Sequence, residues 1–160
     1  MIKKIIAGTL IGTMTLFALP NNELKLMLVA KAAEKKALIL SNMKLQDDIK
    51  ENFGTLYDEY QVELVELRMN ELTLIANYAK NYKNMTDENA NKLMVKWMTV
   101  EEAEIELKKE YVSKFTKIMP SVDVVRYFQM ENRIQLLREI KTASQIPLAN
   151  PTINREDKEQ

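Results

Sequence analysis

The chain has 160 residues, carries 23 basic against 23 acidic residues, and contains neither cysteine nor histidine. Those absences exclude a disulfide framework and thiol redox chemistry, and they remove the commonest general base and metal ligand. The balanced charge argues against a phosphate-tracking surface, so no nucleic-acid partner is expected.

Lys3 and Lys4 precede an uncharged run from Ile5 to Leu19, which Pro20 closes. This is the layout of a secretory signal peptide and predicts a working place outside the cytoplasm. Ala30-Lys31-Ala32 fits the small-x-small cleavage rule and would free Ala33. The expected organisation is therefore a signal and cleavage region over 1–32, a helical domain over 33–148 and a polar tail over 149–160. The alternative is an uncleaved anchor, and a membrane partner is expected only through that segment. The uncharged run is shorter than the ~20 residues that span a bilayer as a helix. Four lysines and one glutamate precede Ala33, so a cut there leaves 19 basic and 22 acidic residues, net −3.

Beyond the signal, glycine occurs only at Gly54 and proline only at Pro120, Pro147 and Pro151. Long helices follow from that lack of punctuation. From about Glu34 to Tyr82, apolar residues recur at steps of mostly three and four: Leu45, Ile49, Phe53, Leu56, Tyr60, Leu64, Leu67, Leu74 and Tyr78. Ser41-Asn42 is a candidate break, and Gly54 marks a close backbone contact or a mild bend. Asn81 to Asp87 reads as a turn, with Thr86 as N-cap of the next helix. That helix runs to about Ile118, with Leu93, Trp97, Val100, Leu107, Tyr111 and Phe115 on its apolar stripe. Met119-Pro120-Ser121 forms a second junction, where Ser121 is expected to cap a third helix that Pro147 stops. No segment alternates with period two over a strand length. The predicted fold is all-α: a long antiparallel hairpin plus a third helix, dimerising to cover its apolar surface.

Few residues suggest chemistry. Glu101 with Glu104, or Glu102 with Glu106, could share a cation, but a charged face balanced by Lys108 and Lys109 accounts for them. Met94 and Met98 stand four apart, a spacing at which thioethers can hold Cu(I) or Ag(I). Without cysteine or histidine beside them, they read as packing or binding surface, and no metal or cofactor is expected. Met94, Trp97 and Met98 are the candidate apolar binding surface. Tyr127, Phe128, Ile134 and Leu137 are assigned to one face of the third helix, as the lock that packs it onto the hairpin. No nucleophile–base pair and no glycine-rich phosphate loop is present, so the chain is not expected to be an enzyme.

Two long helices after a signal, with Met119-Pro120-Ser121 and Val122 to Gln129 opening a third, resemble the Spy/CpxP group of small all-helical periplasmic proteins. The Leu-Thr-Pro-x-Gln segment of that group is itself absent. A second likeness covers Lys114 to Leu148 and extends back to about Asp58. There, the run Arg126-Tyr127-Phe128-Gln129-Met130-Glu131-Asn132-Arg133 and the closing Gln145-Ile146-Pro147-Leu148 resemble secreted bacterial proteins of unassigned function. The Spy/CpxP resemblance implies a cradle-shaped periplasmic homodimer that shields unfolded proteins without ATP, or reports envelope stress to a sensor kinase. The alternatives are an accessory protein docking on one specific envelope partner, and a methionine- or carboxylate-based metal-responsive protein.

Overall fold

The computed structural model describes residues 20–149, and no strand occurs among them. Four α-helices follow in order: α1 (Asn21–Met43), α2 (Asp47–Asn81), α3 (Asp87–Phe115) and α4 (Ser121–Ala143), with a 3₁₀ turn at Tyr82–Asn84. The uncharged signal run up to Leu19 and the polar tail from 150 onward lie outside the described residues. None of the described helices is long and apolar enough to cross a membrane.

α2 and α3 form the expected antiparallel hairpin. Phe53 meets Phe115, Tyr60 meets Tyr111 and Arg68 meets Glu104, so residue numbers rise on one helix as they fall on the other. The Thr86 side chain accepts a hydrogen bond from the Asn89 backbone N–H at 3.2 Å, which fixes the start of α3 as the sequence predicts. The second junction differs from expectation. Pro120 itself is the N-cap residue, and its carbonyl accepts from the N–H groups of Asp123 and Val124 at 2.9 and 3.1 Å. Ser121 is the first helical residue, and no side chain caps the helix. Proline in that place already has the extended backbone a cap needs, with ψ 142°, so the serine is left inside the helix.

α1 begins at Asn21 rather than near Glu34, so Ala30-Lys31-Ala32 lies in its interior. It packs antiparallel to α2: Lys25 pairs with Glu66, Tyr57 Oη donates to the Ala32 carbonyl at 3.2 Å, and Lys36 meets Asp58 at 2.6 Å. Its far end is tied to α4, where Arg126 Nη2 donates to the Asn42 carbonyl at 2.9 Å. The helix stops at Lys44, a left-handed residue with φ 52°, two positions past the expected break. No backbone approaches Gly54 closely. The atoms nearest its missing Cβ belong to the flexible end of Lys36, at 3.5 Å.

The core is an aromatic cluster where all four helices meet. Phe53, Tyr57 and Tyr60 from α2, Tyr111 and Phe115 from α3, and Tyr127 and Phe128 from α4 are buried together. Ring centroids lie 4.8 Å apart for Phe115–Tyr127 and Tyr127–Phe128, and Phe53 meets Tyr127 edge-on at 5.1 Å. These offset and edge contacts match the charge distribution of the rings. Tyr127 and Phe128 thus sit in the packing position expected of them, and Ile134 is half-buried. Leu137 is not part of the lock, because it is 71% exposed. The buried face of α4 is Val124, Tyr127, Phe128 and Glu131. At about 100° per residue, Leu137 falls roughly 130° away from the centre of that face.

Glu131 on the same face of α4 is buried. It accepts from Lys35 of α1 at 2.8 Å and from Gln61 of α2 at 3.4 Å. Burial pulls the Lys35 ammonium below its usual range, and the Glu131 charge opposes that shift. Beside the pair, the Tyr127 hydroxyl makes no hydrogen bond among the described residues. Burial first, and the Glu131 charge second, hold it well above the ordinary tyrosine range.

Candidate ligand-binding cleft

Beyond the aromatic cluster, α2, α3 and α4 continue side by side, but the space between them is not filled. A cleft of about 480 Å³ opens there. The cause lies in side-chain size. Where the three helices converge, rings set the spacing and fill it. Farther along, Leu74, Ile75, Val100, Ile105, Thr142, Ala143 and Ile146 line the space with Trp97 as the one ring, and no ring stack spans the helices. The cleft lies within the ~300–1,000 Å³ range of sites that enclose a ligand-sized body.

Its floor is polar. Arg68 of α2 is buried, at 7% exposure, and donates from Nη1 to Glu71 at 2.7 Å and from Nη2 to Glu104 of α3 at 2.9 Å. Arg68 Nε makes no hydrogen bond among the described residues. On the α3 wall, Trp97 Nε1 donates to Glu101 at 2.7 Å, holding the indole against the mouth. On the α4 wall, Gln135 donates to Glu139 at 2.7 Å. The lining carries Glu71, Glu101, Glu104 and Glu139 against Arg68 and Lys108, and Arg138 of α4 stands 3.9 Å from Glu139, so the carboxylates exceed the nearby cations by one.

The three residues expected to form an apolar binding surface part company. Trp97 lines the cleft, whereas Met94 and Met98, 56% and 47% exposed, stand on α3 outside it. Glu104 is not on a solvated face as its sequence context suggests, since its side chain is largely buried against Arg68. Sequence reasoning missed the Arg68–Glu71–Glu104 group. A signal was present: the apolar stripe of α2 runs at three- and four-residue steps to Leu67, then skips to Leu74, and Arg68 and Glu71 stand in that gap. Among the described residues, no group of three or more carboxylates is arranged to hold a metal ion.

Chemically, the cleft offers apolar walls, carboxylate acceptors and few free donors. It can hold an apolar body and favour positive charge at its edge. Comparison with known proteins returns no matching family model, no matching curated protein and no matching solved structure.

Proposed function

We propose that this chain is an extracytoplasmic helical binding protein that shelters apolar segments of other proteins, as an ATP-independent chaperone or stress adaptor. The observation that carries the reading is the apolar cleft with Trp97 on its wall and an excess of negative charge in its lining. The signal-like N-terminus and the resemblance to the Spy/CpxP group point to the periplasm and the same kind of activity.

Aggregation of a chemically denatured client provides the test. The chain at several-fold molar excess should suppress light scattering, and Ala143→Phe, which places a ring in the cleft, should weaken that suppression while the helical circular dichroism is kept. Absence of suppression by the unaltered chain would remove the chaperone reading. A stoichiometric complex with one envelope protein, without protection of denatured clients, would favour the accessory-protein reading.

A further inference from the structure

The cleft also constrains the shape and charge of what enters it. Resting on the reading above, we infer that its occupant is an amphipathic helix bearing lysine or arginine beside its apolar stripe.

The helical form follows from hydrogen bonding. An extended segment brings a regular row of unpaired N–H and C=O groups, which must find partners when buried. The cleft cannot supply donors for the carbonyls of such a row. Its walls are helices whose backbones are bonded internally, and no strand edge exists among the described residues. Its side-chain donors are already engaged: Arg68 with Glu71 and Glu104, Trp97 with Glu101, and Gln135 with Glu139. The one buried donor left over is Arg68 Nε. A helix satisfies its own backbone and presents only side chains, which is what an apolar trough accepts.

Length and charge narrow the occupant further. The α3 wall from Trp97 to Lys108 extends about 16 Å, close to three helical turns, and the α4 wall from Gln135 to Ala143 about 12 Å, with Ile146 just past its end. That matches apolar anchors at i, i+3 or i+4, and i+7. Glu101 and Glu139 stand on opposite walls, Glu139 with Arg138 at 3.9 Å, while Glu71 and Glu104 are held on the floor by Arg68. Each carboxylate can accept more than the single bond it now receives. Cations on both flanks of an inserted helix would therefore meet acceptors, and an acidic helix would meet repulsion.

Three peptides of equal length separate the possibilities: a leucine–lysine amphipathic helix, its leucine–glutamate counterpart, and the lysine peptide with a central proline. Trp97 is the only tryptophan in the chain, so its emission reports binding directly to the full-length protein. The lysine helix should bind at least about ten-fold more tightly than the glutamate helix, and the difference should shrink as salt is raised. The proline peptide should bind more weakly than its parent, and Glu139→Lys should reduce the preference for the lysine helix. Equal binding of both charge forms would overturn the inference and leave the cleft as a binding site. Undiminished binding of the proline peptide would overturn the helical occupant. No response of Trp97 to any peptide, with protection of denatured clients retained, would move binding away from the cleft. Loss of both would remove the binding-protein reading itself.

Discussion

Around Tyr127 the helices are held apart by rings that fill the space they create, while around Trp97 a similar gap stands open. Both regions are built from α2, α3 and α4, and both have an apolar lining. They differ in what bridges the helices. In the closed region the side chains are Phe53, Tyr60, Phe115, Tyr127 and Phe128, and α1 supplies Ile39 and Met43 as a cover. In the open region the apolar lining is aliphatic apart from Trp97, and a buried arginine with two carboxylates occupies the floor. One region is built for stability. In the other, the Arg68–Glu104 ion pair ties α2 to α3 beneath an open cleft.

The largest effect should come from the closed region. Phe128→Ala removes a ring that is 7% exposed and touches Tyr60, Phe115 and Tyr127. The expected loss is about 3–5 kcal/mol of unfolding free energy, read from denaturant titration. Trp97→Ala, in the open region, should cost far less stability and abolish the fluorescence reporter. Similar losses from both would erase the distinction between the regions.

Alkaline pH should act on the closed region next. Burial raises the pKa of Tyr57, Tyr60 and Tyr127, and burial with a hydrogen bond to Glu63 pushes Tyr111 up to about 12. These groups ionise near 10 when unfolded, so the unfolded chain loses their protons first as pH rises. Their stabilising contribution is fully present below pH 10 and declines above it. The lowered pKa of Lys35 acts in the opposite sense, adding stability as pH rises through its folded value towards 10.5. With four tyrosines against one lysine, melting temperature should fall between pH 10 and 11. Tyr127→Phe, which deletes a buried hydroxyl without a partner, should soften that fall and raise stability at pH 7 by ~1 kcal/mol. A melting temperature unchanged through pH 11 would contradict the burial of these hydroxyls.

Smaller effects sharpen the map. Gly54→Ala should stabilise by about 0.5–1 kcal/mol, since alanine is the better helix former and only the end of Lys36 lies close. A loss instead would show that the Lys36 end cannot yield. Leu137→Ala should change stability by less than about 0.5 kcal/mol, because the side chain is on the surface. A loss near that of Phe128→Ala would place Leu137 in a packed interface and support a second copy there.

The sequence by itself determined the all-helical class, the antiparallel hairpin, the Thr86 cap and the break at Pro120. Each depends on residues near one another in the chain: a three- and four-residue apolar period, a capping side chain, or a proline that resists helical geometry before it. Tertiary structure decided the rest. Glu131 looks like any solvated glutamate until Lys35, 96 positions away, is brought against it. The packing of Asn21 to Ala32 on α2 depends on Glu66 and Tyr57, 41 and 25 positions from their partners. The cleft has no local signature, because it is the difference between the ring-set spacing at one end and the largely aliphatic lining at the other. Hydrophobic period reports which face of a helix turns inward, and only the packed neighbours decide whether that face is filled.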